Sequence, residues 1–126
     1  MTATAPANAS VWFEIPVSDM ARAKAFYGAV VQGELIDQND GPNPMAIFPV
    51  ADMKNAVSGH LYPGKPAAGG SGNTIHLATP GRLEDTMKRV TEAGGTVVSP
   101  AIDIPAGRFA YCLDPDGNSF GAFETA

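Results

Sequence analysis

Apolar residues recur along this chain with two different periods, and the order of these periods predicts its elements. Residues 10–17 alternate between apolar and polar positions, which predicts a strand. The next segment has a helical period, begins at a capping residue, Ser18 or Asp19, and ends at Gly33. The apolar positions of this helix are Met20, Ala23, Tyr27 and Val30. Three short apolar runs then predict strands at residues 34–37, 45–50 and 56–62.

The second half of the chain repeats this order at a spacing of 62 residues, which separates Glu14 from its counterpart His76. Residues 82–93 form the second predicted helix, and Gly94 lies past its end. The apolar positions of this helix are Leu83, Met87 and Val90. Strands are predicted at residues 74–79, 96–99, 109–113 and 119–124. Strand, helix and three strands therefore occur twice, which predicts an α+β fold.

The repeat also predicts the domain organisation. Residues 63–73 contain four glycines and two prolines and are the candidate linker between module one, residues 10–62, and module two, residues 74–126. They form either a hinge between the modules or a loop over the mouth of the ligand site. Residues 1–9 are small and polar and predict a flexible tail. Because units of about 60 residues are marginally stable alone, we expect both modules to form a single domain, residues 10–126.

Composition and charge exclude several classes of function. The chain has 126 residues and is 44% hydrophobic, without an apolar stretch that predicts a membrane span. A net charge of −5 and only eight scattered basic residues argue against binding to nucleic acid. The tail lacks the basic and apolar regions of a signal peptide, and the single cysteine, Cys112, cannot form an intrachain disulfide. We therefore expect a cytoplasmic protein that binds neither nucleic acid nor membranes.

Five short sequence motifs resemble those of a known family. They are FEIPVSDM at residues 13–20, AFY at 25–27, EAGG at 92–95, GRFAY at 107–111 and DPDGNSFG at 114–121. In this order and spacing they resemble the vicinal oxygen chelate superfamily, which includes glyoxalase I, extradiol dioxygenases and bleomycin-resistance proteins. The resemblance implies two βαβββ modules whose sheets form a cup-shaped, half-open barrel around a ligand. It also implies a homodimer.

The same resemblance indicates where a metal would bind. Metal-dependent members carry a His or Glu ligand on the first and the last strand of each module. The matching positions are Trp12, Gly59, Thr74 and Gly121. Indole has no free lone pair, glycine has no side chain and a threonine hydroxyl is a weak ligand. We therefore expect no metal cofactor.

An alternative metal site depends on the register of one strand. A shift of one residue in the strand at residues 56–62 would turn His60 inward, where it could join His76 and a carboxylate from Glu14 or Glu124. Such a site could bind iron, nickel, zinc or manganese. In the preferred register, strand alternation turns His60 and Glu124 away from the cup.

Glu14 and His76 are the candidate catalytic residues. They occupy equivalent places in the two modules and share a face with the metal-ligand positions. A histidine beside a carboxylate can act as an acid–base pair. The alternative is that Glu14 has a structural role and hydrogen-bonds across the modules or the dimer interface.

Other positions are candidates for ligand binding. Trp12 would form a flat apolar wall or fill the core, while the two glycines would leave space in the cup or mark a bend. Arg108 could bind a carboxylate or phosphate, or stay solvated. The full candidate set is Trp12, Gly59, Thr74, Arg108, Tyr111 and Gly121. Cys112 is interpreted as a small buried hydrophobe.

These observations together predict a glyoxalase-like or bleomycin-resistance-like protein. It would bind a small organic molecule in an apolar cup without the family metal, and its expected partners are that ligand and a second copy of the chain. The alternative is an enzyme. It would be a metal-dependent lyase or dioxygenase, or a metal-free lyase or isomerase that uses Glu14 and His76.

Overall fold

The structure is a computed structural model that describes residues 5–39, 41 and 43–125, so residues 1–4 of the predicted tail lie outside it. The elements of the first module are β1 (Phe13–Val17), α1 (Met20–Val31), β2 (Ile36–Gln38), β3 (Met45–Ile47) and β4 (Gly59–Pro63). Those of the second are β5 (Ile75–Ala78), α2 (Leu83–Glu92), β6 (Thr96–Val97), β7 (Ile102–Ile104), β8 (Gly107–Leu113) and β9 (Ser119–Thr125).

The strands form two sheets of matching topology, which confirms the predicted α+β class. Sheet A has the strand order β1-β4-β3-β2, and sheet B has the order β5-β9-β8-β6. In each sheet the first strand of the module pairs in parallel with the last, whereas the other pairs are antiparallel. Each module therefore returns its last strand to the side of its first.

The structure contains one strand, β7, that the sequence pattern does not predict. Both β6 and β7 pair with β8, and the backbone between them still donates one ladder hydrogen bond from Val98 N to Tyr111 O at 2.9 Å. Pro100 has no backbone N–H and interrupts the ladder. The Tyr111 N–H instead donates to Ser99 Oγ at 2.9 Å. The predicted strand at residues 96–99 is therefore split by a proline.

The helix ends follow the sequence closely. Asp19 is the N-cap of α1 and accepts a hydrogen bond from Arg22 N at 3.0 Å, as predicted. Helix α1 ends at the left-handed Gln32, with φ of 54°, one residue before the expected Gly33. Gly94 follows α2 with φ of 102°, which favours glycine. Among the described residues, no helix is long and apolar enough to cross a membrane.

The two modules share one hydrophobic core. On α1, Phe26 and Tyr27 lie edge-on to Phe120 of β9, with ring centroids 5.8 and 5.5 Å away. Tyr27 also contacts Phe48 of the first module at 5.4 Å. All four rings are buried. Helix α1 therefore packs against both modules and helps to set the orientation of one sheet relative to the other.

Candidate functional site

The face of sheet A away from the helices carries Glu14 and His60. Along β1, Ile15 and Val17 are buried in the core, so Glu14, which directly precedes Ile15, points to the other side. Glu14 and His60 are direct partners in the parallel β1–β4 pair, and partners in register share a face. The expectation that His60 faces away from Glu14 is therefore wrong.

Trp12, His60 and Glu14 form a row of polar contacts on this face. The indole Nε1 of Trp12 donates to His60 Nδ1 at 2.8 Å, and His60 Nε2 lies 3.2 Å from Glu14 Oε1. Because Nδ1 accepts a hydrogen bond, its lone pair is free of a proton, and the proton of the neutral ring lies on Nε2. The imidazole is almost fully buried, whereas 63% of the Glu14 side chain is exposed. The row therefore presents a carboxylate to solvent.

The two modules differ by one residue in strand register. Phe13 pairs with Gly59 in sheet A, whereas its counterpart Ile75 pairs with Phe120 in sheet B. The spacing of 62 therefore relates the first strands of the modules, and a spacing of 61 relates the last strands. His60 consequently takes the place beside Glu14 that Gly121 takes beside His76.

This one-residue difference in register also changes the role of Gly59. A Cβ at Gly59 would lie 2.4 Å from the Phe13 ring, on the core side of the sheet. At Gly121 a Cβ would lie 2.1 Å from His76 Nδ1. The empty space expected at these two glycines is therefore absent, because an aromatic ring or an imidazole lies directly over each of them.

The outward face of sheet B is aromatic. We use the term aromatic face for the side chains of His76, Phe109, Tyr111 and Phe123. The rings of Phe109 and Phe123 are stacked at 5.8 Å, and His76 lies edge-on to Phe109 at 5.0 Å. Burial among these rings lowers the pKa of His76, because the charged imidazolium is less well solvated there. Tyr111 keeps 38% of its surface exposed.

The structure does not bring the two candidate catalytic residues together. No hydrogen bond or ion pair joins Glu14 to His76, and the partner of Glu14 is His60. Glu14 lines two cavities of about 440 and 330 Å³, whereas His76 lines a third of about 500 Å³. An acid–base pair on this chain would therefore use the His60–Glu14 contact.

A match to a family profile identifies the superfamily of this chain. The profile of the Glyoxalase/Bleomycin resistance protein/Dioxygenase superfamily matches residues 9–121, which is most of the chain. The chain belongs to this superfamily. Comparison with the curated proteins finds no match.

Solved structures of this superfamily have the same fold. A glyoxalase/bleomycin resistance protein from Albidiferax ferrireducens T118 is 22% identical over 94% of this chain and 100% of its own, with a TM-score of 0.73. The antibiotic binding protein TnmS3 from Streptomyces sp. CB03234 is 28% identical over 97% of this chain and 100% of its own, with a TM-score of 0.63. A glyoxalase I variant from Zea mays is 18% identical over 90% of this chain and 44% of its own, with a TM-score of 0.69.

The superfamily metal does not fit the residues at the expected ligand positions. Trp12 and Thr74 are engaged in hydrogen bonds, and the Thr74 hydroxyl lies 2.6 Å from Ser119 Oγ. Gly59 and Gly121 provide no donor atom, and any side chain at Gly121 would collide with His76. The position-matched set therefore offers no cluster of metal-binding donors.

The alternative metal set is also separated in space. His60 lies in sheet A with both nitrogens engaged, and His76 lies in sheet B. Glu124 accepts a hydrogen bond from Leu83 N at 2.6 Å, on the side of sheet B that faces α2. Among the described residues, no three His, Cys, Asp or Glu side chains are grouped so that they could hold a metal ion.

Arg108 lies on the helix side of sheet B and is surrounded by carboxylates. It bonds Glu84 at 2.5 and 3.1 Å, Asp103 at 3.0 Å and Glu124 at 3.5 Å. The hydrogen bonds from Arg108 lower the pKa of Glu84 to about 2, and the same pairing raises the pKa of the guanidinium. The guanidinium is therefore paired with carboxylates of this chain, and Arg108 lines none of the three cavities described above.

Several residues of these surfaces were missed by the sequence analysis. Phe109 lies two residues from Tyr111 in β8, and Phe123 lies two residues from Gly121 in β9. Residues two apart in a strand share a face, so strand alternation was the signal that could have identified both phenylalanines. The linker residues Ser71, Gly72 and Asn73 line the cavity of about 440 Å³ together with Trp12, which agrees with the alternative that this segment is a loop over the ligand mouth. Cys112 is fully buried, as interpreted, and burial raises the pKa of its thiol to about 11.

Proposed function

We propose that this protein binds a small organic molecule with an aromatic or apolar part, without a metal and as a homodimer. The observation that carries the proposal is the aromatic face of sheet B. Soluble chains rarely leave a contiguous apolar surface of this kind without a ligand or partner to cover it. Val98 and Ile104, also exposed, extend the same face with aliphatic surface.

Two further observations support a small ligand. The cavities of about 440 and 500 Å³ have the volume that drug-sized molecules occupy. The larger one is lined by His76 and the apolar Phe13, Phe48 and Val57. The similar protein TnmS3 is described as an antibiotic binding protein. We propose that this chain has the same general role toward a ligand of its own.

Binding of 1-naphthylmethanol, a neutral aromatic probe, tests the proposal. We expect saturable binding by NMR titration, and Tyr111→Ala should weaken it about 10-fold because Tyr111 offers an exposed ring. Met53→Ala is the control, since Met53 is 45% exposed but lies outside the aromatic face and the cavities. Absence of saturable binding, or equal effects of the two substitutions, would overturn the proposal.

The metal-free part of the proposal is tested by metal analysis. The untagged protein is incubated with iron, nickel, zinc and manganese, desalted and measured by mass spectrometry. We expect no retained metal, since the ligand positions lack donors. Retention of about one ion per chain would contradict this expectation.

The homodimer is tested by sedimentation. An apolar face that is open in one chain would be covered by the second copy or would wall a shared cavity. We expect a species of twice the chain mass at micromolar concentration. A monomer at all concentrations would contradict this part of the proposal.

A second candidate function is metal-free acid–base catalysis, as in a lyase or isomerase. The contact that favours it is the His60–Glu14 pair, which holds a carboxylate at a cavity wall. Exchange of the α-protons of phenylacetone, a neutral aromatic ketone, in D₂O tests it. Exchange faster than the buffer rate in the wild type, lost in Glu14→Gln, would favour catalysis. Exchange at the buffer rate would favour binding alone.

A further inference from the structure

Glu14 is the single charged side chain among the described residues that line the three cavities. Glu14 lines both the cavity of about 440 Å³ and the one of about 330 Å³. No arginine or lysine lines either cavity in the part of the chain that the structure describes. The electrostatic potential in these two cavities is therefore negative.

The contact with His60 leaves the charge of Glu14 in place. Trp12 donates to His60 Nδ1, so the proton of the neutral imidazole lies on Nε2. His60 Nε2 lies 3.2 Å from Glu14 Oε1, so the neutral ring contacts the carboxylate without neutralising it. Among the described residues, Glu14 Oε2 has no hydrogen-bond or ion-pair partner. This oxygen is therefore available to a ligand.

Two aromatic rings share the cavities of Glu14. The rings of Trp12 and Tyr62 lie 5.8 and 6.2 Å from the His60 imidazole that contacts Glu14. Trp12 lines the larger of the two cavities with Glu14, and Tyr62 lines the smaller. Indole and phenol faces attract cations through the ring quadrupole. A carboxylate in a cavity with such a ring matches a positively charged organic group.

We propose that Glu14, in contact with His60 and sharing its cavities with Trp12 and Tyr62, binds a protonated amine of the ligand. This inference rests on the proposed function, because it names the chemical class of the molecule that the protein binds. An anionic group is disfavoured here, since no described basic residue lines either cavity to offset Glu14. A neutral hydroxyl would make a hydrogen bond without the charge attraction.

A matched pair of probes tests the inference. They are 1-naphthylmethylamine, which is protonated at neutral pH, and 1-naphthylmethanol, which has the same ring and a neutral hydroxyl. We expect the wild type to bind the amine about 10-fold more tightly at low salt. In Glu14→Gln, which is nearly isosteric and lies on an exposed side chain, this preference should disappear while the alcohol still binds.

The control variant is Glu34→Gln. Glu34 is exposed and outside the cavities, and its substitution changes the net charge by the same amount. The preference for the amine should survive in this variant. Equal binding of both probes by the wild type, or a preference that survives in Glu14→Gln, would overturn the inference and leave the proposed function standing. Failure of both probes to bind would overturn the inference and the proposed function together.

The imidazole tautomer gives an independent measurement. In a ¹⁵N-labelled sample at neutral pH, the His60 ring should show a protonated Nε2 and an unprotonated Nδ1. The opposite tautomer would contradict the proposed role of His60, because Nε2 could then not donate to Glu14.

Discussion

Two glycines of the paired strands are crowded for different reasons. A Cβ at Gly59 would lie 2.4 Å from the Phe13 ring and 2.5 Å from the Phe13 carbonyl oxygen. At Gly121 the three nearest atoms all belong to the His76 imidazole, the end of an exposed side chain. Backbone atoms of a sheet cannot yield, whereas a side chain at the surface can adopt another rotamer. The two sites therefore tolerate substitution differently.

We predict that Gly59→Ala lowers the free energy of unfolding by about 3 kcal/mol, because the new methyl group meets fixed backbone. Gly121→Ala should cost about 1 kcal/mol and displace the His76 ring. Urea unfolding followed by circular dichroism measures both, and the His76 resonances report the displacement. A cost at Gly121 equal to that at Gly59 would show that the imidazole is as firmly fixed as the backbone.

At the scale of elements, the start of α2 depends on a residue from another element. Arg82 is the N-cap position and makes no side-chain capping bond. The Glu124 carboxylate of β9 instead accepts the hydrogen bond of Leu83 N at 2.6 Å. Arg108 of β8 contacts both Glu124 and the first-turn residue Glu84. Sheet B therefore supplies the cap that the helix sequence lacks.

We predict that Glu124→Ala lowers the free energy of unfolding by about 1 kcal/mol, the usual cost of a lost N-cap. The first amide protons of α2 should also exchange faster with solvent. Asp103→Asn is the control, since Asp103 also pairs with Arg108 but is largely exposed and caps nothing. A control effect as large as that of Glu124→Ala would mean that the ion pairs stabilise this region and the cap does not.

At the scale of the whole molecule, buried polar contacts join the modules. The Tyr27 hydroxyl of α1 donates to the buried Asp114 at 2.6 Å, across the shared core. Asn118 Nδ2 donates to the carbonyl oxygen of Pro16 in β1 at 2.8 Å. Arg22 pairs with Asp116 at 2.8 Å, at the exposed edge of the same region. The turn after β8 is thereby fixed to the first module.

We predict that Tyr27→Phe lowers the free energy of unfolding by about 2 kcal/mol, because a buried carboxylate loses a hydrogen bond. Tyr62→Phe removes the same atom from a half-buried residue that makes no hydroxyl bond to a described residue, so its effect should be within about 0.5 kcal/mol. Chemical denaturation at neutral pH compares the two. Equal effects would contradict a role for the Asp114 contact in joining the modules.

Tyr27 also predicts a response to alkaline pH. Burial, and then the neighbouring Asp114, raises the pKa of the Tyr27 phenol well above its usual range. A raised pKa in the folded state contributes stability that is fully present below the unfolded value of about 10. This stability is lost as the pH rises through that value toward the folded pKa. Tyr27→Phe should lack this loss when unfolding is measured from pH 8 to 11, roughly the range in which the loss begins.

Much of the fold could be predicted because its signals are local. The helical period and the cap at Asp19 place α1, and alternation places Ile15 and Val17 in the core. The split of the strand after residue 97 was not predicted, since the effect of Pro100 depends on its pairing with β8. The position of Arg108 likewise depends on Glu84 and Glu124, which lie far from it in sequence.

The sequence by itself determined the repeated module, the helix ends and the superfamily, because these depend on periodicity and on order along the chain. The tertiary structure alone decided the register of β4 against β1, which pairs Glu14 with His60 instead of leaving it to His76. The physical reason is the strand period of two residues. A slip of one residue relative to the repeat turns every side chain of the strand to the opposite face, and only the sheet hydrogen bonds fix that slip.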